Sequence, residues 1–274
     1  MQKKMRMLNL TKEIAAWVIS LIIIIPFMMV LLNSVKSVTE SATMSLNLPS
    51  VFHWDNYLEV LKGGKVFKAF QNSLLISGVT AIITLVVSAM AAFVLSRNRK
   101  RSNMLIYSIF LLGLVAPMNY VSTMKVMQML HIINTYTGAT LLYSALFIPF
   151  TVFLYYGFVG GIPKELDESA VIDGCGSTRL FFQIIFPLLK PVTVTAIIIN
   201  FLNSWNDFVI PLYFLNSSAK WGMIMTMYNY FSTYISSWNL VSAAMVLNLL
   251  PIVTVYIIGQ KYIVSGMTAG AVKG

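Results

Sequence analysis

The chain predicts an all-α membrane protein with six transmembrane helices, and three observations carry that prediction. Hydrophobic residues fill 58% of its 274 positions and charged residues only 10%, too little polar surface to cover a water-soluble globule. Several uncharged runs reach the roughly 20 residues that a helix needs to cross a hydrocarbon core of about 30 Å. Lys and Arg cluster between those runs and favour one side of the bilayer, as the positive-inside rule requires. The net charge of +10 comes from that clustering and does not point to nucleic acid.

Taken from the N-terminus, Lys3, Lys4 and Arg6 precede an uncharged run at 14–32. It is too long for the h-region of a signal peptide and has no small-residue cleavage site after it, so it reads as a retained first span. Pro26 marks a kink within it. Residues 33–71 form a polar extracytoplasmic connection containing Pro49, Trp54 and Tyr57. The second span, 72–95, stops at the basic cluster Arg97, Arg99, Lys100 and Arg101. A third covers 104–124, a short turn occupies 131–137, and a fourth span covers 138–158 with a bend at Pro149. After a polar stretch at 163–187 a fifth span runs from about 187 to 211, an outer loop occupies 216–237, and a sixth span covers 239–259.

This arrangement puts both termini in the cytoplasm. It leaves 13 of the 19 Lys and Arg residues on the cytoplasmic side and 6 outside, the bias expected of a correctly oriented chain. Four segments result: a cytoplasmic N-terminus (1–12), the first span with its outer loop (13–71), a five-helix core (72–260) and a cytoplasmic tail (261–274).

Several chemistries are excluded by the residues present. Cys175 is the only cysteine, so there is neither an internal disulfide nor a Cys-only metal site. His53 and His131 stand apart and form no ligand group. No GxxxxGK[ST] phosphate loop occurs, since Gly63-Gly64-Lys65 lacks the spacing and the Ser or Thr after lysine. There is no HExxH either, and no nucleophile has a histidine base at membrane depth. The chain reads as a transport component, not an enzyme.

The stretch 163–191 is the longest polar interruption in the downstream half. Pro163 suits a helix start, and Glu165, Asp167 and Glu168 suit its positive end. Gly174 and Gly176 break that helix around Cys175. A second short helix from Ser177 carries the apolar stripe Leu180, Phe181, Ile184 and Ile185. Spacing alone fits two readings, a docking helix for another protein or an amphipathic loop on the lipid headgroups.

Specific motifs add to this. Glu168-Ser169-Ala170, three residues, Gly174, nine residues, Ile184, one residue and Phe186-Pro187 resemble the EAA signature of permease subunits of binding-protein-dependent ABC importers. Ser169 replaces an alanine of that signature and Phe186 a leucine. Asn72-Ser73-Leu74-Leu75, Asn203-Ser204-Trp205-Asn206-Asp207-Phe208 and the ending from Gly266 are similar to maltose-type (MalG-like) sugar permeases. The resemblance covers nearly the whole chain. It implies a type I ABC importer permease fold with a cytoplasmic coupling helix between spans 4 and 5, in a bacterial cytoplasmic membrane. It also implies a solute-binding protein, a second homologous permease, a carbohydrate cargo and two ATPase subunits, which hold the ATP and Mg; this chain binds no cofactor itself.

The resemblance makes Glu168, Ser169, Ala170, Asp173 and Gly174 the ATPase-coupling residues. Glu168 pairs with a basic partner residue, Ala170 permits close packing and Gly174 makes the corner; Asp173 either caps locally or reaches the partner. Polar groups in lipid usually face a bundle interior, which makes Asn200, Asn203 and Asn248 candidates for a solute path, with interhelical hydrogen bonding as the alternative for each. Trp205 and Asn206 join them, Trp205 as a sugar-stacking ring or an interfacial anchor. Asp207 belongs at the outer boundary. Trp221, Tyr228, Tyr230 and Tyr234 in the outer loop suit contact with the binding protein, or folding back onto the membrane surface. The tail either touches the ATPase pair or is a loose terminus. Two other functions stay open: import of a non-sugar solute, and a self-contained secondary transporter. The latter would usually show repeated halves and a midplane carboxylate, and neither is visible.

Overall fold

The computed structural model describes residues 2–62, 64–98, 100–233 and 237–271, with side chains outside 2–10, 229–232 and 261–271. Every regular element among them is helical. Helix α1 (Gln2–Asn33) is followed by α2 (Val38–Ser41) and α3 (Asp55–Lys62) within the expected polar connection. Next come α4 (Lys65–Arg97), α5 (Arg101–Val115), α6 (Tyr120–Met129) and α7 (Tyr136–Gly161). The polar stretch contains α8 (Glu165–Ile172), α9 (Ser177–Arg179), a π-helical segment (Leu180–Ile185) and α10 (Phe186–Leu188). Beyond it lie α11 (Lys190–Asn206), α12 (Val209–Phe214), a 3₁₀ turn (Ser218–Lys220), α13 (Met223–Thr233) and α14 (Trp238–Ala271).

Four described stretches are long and apolar enough to cross a bilayer: Thr11–Asn33, Lys65–Arg97, Tyr136–Gly161 and Trp238–Gln260. Two more join them if α5 with α6, and Ser177–Leu188 with α11, each count as one bent span, which gives the six expected from the sequence.

The bends correct the sequence reading. The third span, expected as one run over 104–124, is broken between α5 and α6 by a turn of 117°. Pro117 lacks an N–H and disfavours helical geometry at Ala116, which is extended (ψ 120°). Asn119 then caps α6 by accepting from the Ser122 N–H at 3.0 Å. The fifth span, expected over 187–211, begins at Lys190 after a 79° turn and ends at Asn206. The outer loop contains α13, whose residues 223–233 include no glycine or proline. The last helix, expected to end at 259, continues to Ala271.

Two compact units divide the chain, Met1–Phe67 with Thr226–Leu250 and Lys68–Met225 with Pro251–Gly274. In the first unit the apolar stretch of α1 is unburied. A hydrogen-bonded knot lies just beyond it. Lys36, counted among the outer basic residues, is 1% exposed, and its ammonium donates to Ser45 O (2.7 Å), Ser45 Oγ (3.1 Å) and Asn33 Oδ1 (3.2 Å). Three neutral acceptors satisfy its three protons, as burial of a charge demands. Asn56 donates to Ser34 O and Lys36 O and accepts from Asn239 Nδ2 at 2.8 Å. Nearby, Glu40 closes a capping box with Ser37. Hydrogen bonds from Ser50, and then from Ser37, hold its carboxyl down to about 2.

In the second unit, α4, α7 and α11 pack through Ala89, Ala92, Val152, Tyr155, Val192 and Ala196. The three alanines among them let helix backbones approach closely. Between α7 and α11, Tyr155 Oη donates to Thr193 Oγ1 at 2.9 Å, and Thr193 Oγ1 donates to Leu189 O at 2.9 Å. Gly259 on α14 lies directly against Ile198 of α11, where a Cβ would overlap the isoleucine side chain.

Candidate functional site

Helix α8 forms where the sequence anticipates a helix. Glu165, Asp167 and Glu168 occupy its first turn, opposite the positive end of the helix dipole. Its C-terminus closes with a Schellman motif. The Gly174 N–H donates to Val171 O (3.0 Å) and the Cys175 N–H to Ala170 O (2.9 Å), with Gly174 at φ +77°. That left-handed conformation is open to glycine and costly for most other residues. Asp173 is the exposed C-cap residue.

The helix is fastened to the membrane bundle on one face only. Ala170 is 5% exposed and joins the core containing Leu180, Phe181, Val159 and Ala92. Its small size serves packing inside this chain. Glu168, Ser169, Val171 and Ile172 are exposed, as is Leu166. Val171 and Ile172 are 61% and 85% accessible, so the free face carries a carboxylate beside aliphatic side chains. Ser169 Oγ turns back to donate to Glu165 O at 2.7 Å.

A second fastening was not legible in the sequence. Arg97, in the last turn of α4, lays its guanidinium against Asp167, with Nε 2.7 Å from Oδ2 and Nη2 3.1 Å from Oδ1. The same side chain donates from Nη1 to Ile162 O at 2.9 Å and reaches Val159 O at 3.4 Å. These are carbonyls at the end of α7, where a cation complements the dipole. Both partners are largely shielded, at 13% and 18% side-chain exposure. Sequence reading assigns Arg97 to a basic cluster and Asp167 to a helix start; 70 residues separate them.

At the opposite end of α4, Asn72 and Ser73 hold the loop before α13. Asn72 Nδ2 donates to Ala219 O and Trp221 O, both at 2.9 Å, while its Oδ1 accepts from Tyr136 Oη at 2.9 Å. Ser73 Oγ accepts from the Met223 N–H at 2.8 Å. Trp221 is half-buried and donates from Nε1 to Leu215 O at 2.7 Å. Tyr228 is exposed; the Tyr230 side chain and Tyr234 lie outside the described residues.

The residues suggested for a solute path are dispersed. Asn200 is buried and its Nδ2 donates to Thr151 Oγ1 at 3.1 Å, tying α11 to α7. Trp205 is 1% exposed, stacked on Phe201 with centroids 5.3 Å apart and edge-on to Phe70. Its ring is packed within this chain. Asn203 and Asn206 are exposed on α11. Asn248 is buried in the other unit. Asp207 caps α12, accepting from the Ile210 N–H (2.9 Å), the Val209 N–H (3.2 Å) and Tyr143 Oη (2.9 Å). An Asp directly before a short apolar run is a helix-start signal that the sequence did contain.

Known proteins resemble this chain along most of its length. The profile of a family described as "Binding-protein-dependent transport system inner membrane component" matches residues 84–269, from mid-α4 through α8 to the end of α14. A probable starch degradation products transport system permease protein, AmyC, of Thermoanaerobacterium thermosulfurigenes is 35% identical, over 93% of this chain and 94% of that one. The melibiose/raffinose/stachyose import permease protein MelC of Bacillus subtilis is 31% identical, over 99% and 98%. Among solved structures, a bacterial ABC transporter involved in the import of the acidic polysaccharide alginate superposes with a TM-score of 0.83, covering 94% of this chain and 97% of that one at 17% identity. The expected importer-permease fold is thus the fold found. With the profile spanning most of the chain and relatives aligned nearly end to end, the chain belongs to the family of binding-protein-dependent transport system inner membrane components.

Proposed function

We propose that this chain is one of two permease subunits of an ATP-driven importer whose cargo is an oligosaccharide. It enters the complex with a homologous permease, two ATPase subunits that hold ATP and Mg, and an extracytoplasmic solute-binding protein. It performs no hydrolysis and binds no cofactor. Both termini and α8 lie on the ATPase side, and the five-span core of residues 72–260 forms half of the path. The carbohydrate cargo rests on the relatives named for starch degradation products and for melibiose, raffinose and stachyose.

One observation carries the mechanism: α8 turns an exposed face of Glu168, Ser169, Val171 and Ile172 away from the bundle while Ala170 and Asp167 hold its other face. A partner gripping that face moves α8, and the bundle moves with it. Glu168 supplies the charge for a basic residue of the ATPase, and the aliphatic pair supplies buried area. Asn203 and Asn206 remain the α11 amides available to hydroxyl-rich cargo, with Tyr228 facing the binding protein.

The test uses the whole complex with its binding protein in lipid vesicles. Raffinose, maltotriose and arabinotriose are offered as cargo, with a tripeptide and phosphate as controls. Uptake of at least one oligosaccharide is expected, and uptake confined to the tripeptide or phosphate overturns the cargo class. In a Cys175→Ser background, Ser169→Cys should crosslink to the ATPase; no crosslink in an active complex overturns the docking.

A further inference from the structure

The fastening of α8 to the end of α4 has a use beyond stability, and it rests on the reading of α8 just given. Helix α8 joins α7 through three residues, Ile162 to Lys164. A hinge so short transmits force to α7, but apart from the packing of Ala170 into the core it leaves the angle of α8 free. Arg97 removes that freedom, because one planar guanidinium is held at once by Asp167 on α8 and by Ile162 O at the end of α7. A lysine carries its donors on one nitrogen and lacks the planar fork that sets two nitrogens against the carboxylate while another faces the carbonyl.

Arg97 also belongs to a continuous rod. From Arg97 to Asn72 the helix α4 spans about 37 Å at the α-helical rise, and at its far end Asn72 and Ser73 hold Ala219, Trp221 and Met223. The two ends of α4 thus grip two different loops by side-chain hydrogen bonds.

We infer that Arg97 is the positioning residue that ties ATPase-driven displacement of α8 to α4, so that the loop held by Asn72 moves in step with ATP hydrolysis. Arg97 touches neither ATP nor cargo; it sets how much of the movement of α8 reaches the bundle.

The experiment compares Arg97→Gln, Arg97→Lys and Asp167→Asn in the reconstituted complex, given raffinose, maltotriose and arabinotriose together. The readouts are oligosaccharide imported per ATP hydrolysed and the amount of ATPase subunit retained on purification. Arg97→Gln and Asp167→Asn are expected to lower the import ratio by about tenfold, within the range of coupling between linked sites. ATPase retention should stay unchanged, and Arg97→Lys should recover part of the ratio. The inference is overturned if the ratio stays at the wild-type value in both neutral variants. It is equally overturned if all three variants shed the ATPase, which would make the pair a structural support only. If the unaltered complex imports none of the three sugars, the cargo reading fails instead, and the same comparison is read from stimulation of ATP hydrolysis by the binding protein as purified, without added ligand.

Discussion

At the scale of single residues, the site turns on backbone conformation more than on side-chain size. A Cβ at Gly174 would meet nothing within 4 Å, yet the residue sits at φ +77°. The cost of replacing it is therefore conformational, about 1–2 kcal/mol for a residue that resists the left-handed region. Gly174→Asn should keep most uptake activity, because asparagine tolerates that region, whereas Gly174→Val of similar volume should lower uptake and the melting temperature of the complex. Equal effects of the two substitutions would show that bulk, not φ, is what matters there. The glycine was legible from the motif spacing, and so was the helix start before it. The inward turn of Ala170 was not, since nothing in ESAVIDG says which face meets Leu180 and Phe181. Asn200 and Trp205 each carried two readings in the sequence, and only the assembled helices show Thr151 bonded to the one and Phe201 and Phe70 packed on the other.

At the scale of elements, spans carried by long uncharged runs were read well, because hydropathy over about 20 residues averages out local detail. Breaks were read poorly. Hydropathy passes smoothly over Ala116-Pro117 and over Leu189, although the chain turns by 117° and 79° at these places. Pro117 with Asn119 two residues on was an available signal, a residue without an N–H next to a good cap. The bend at Leu189 has a weaker one, since Pro187 and Pro191 flank it at positions that suit helix starts. Pairings such as Arg97 with Asp167 depend on how α4, α7 and α8 assemble, and no local window contains them.

For the whole molecule, composition fixes the solvent before any motif is read. A chain with 58% hydrophobic residues and an unburied apolar α1 requires lipid or another subunit around that helix. The excess of Lys and Arg expected on the cytoplasmic side gives the orientation a direct test. In a Cys175→Ser background, single cysteines at Lys164 and Lys220 should label oppositely with a membrane-impermeant maleimide, Lys220 from outside and Lys164 only after permeabilisation. Labelling of both from one side would break the assigned topology, and labelling of position 164 alone from outside would reverse it. The π-helical segment Leu180–Ile185, where the Phe186 N–H reaches back five residues to Phe181 O, has a consequence for chain length. A π-turn is the trace of one residue more than an α-helix needs, taken up without rotating the downstream helix. The segment therefore works as a spare link between the part of the chain ending in α8 and the part beginning with α11. Deleting Gln183, exposed and bonded to Arg179, should relax the segment to α and leave the complex assembled. Deleting Ile199 within α11 should swing the remaining residues by about 100°, exchange lipid-facing for core-facing positions and abolish assembly. Equal damage from both deletions would mean that the extra residue is indispensable, and that the chain holds no slack between its halves.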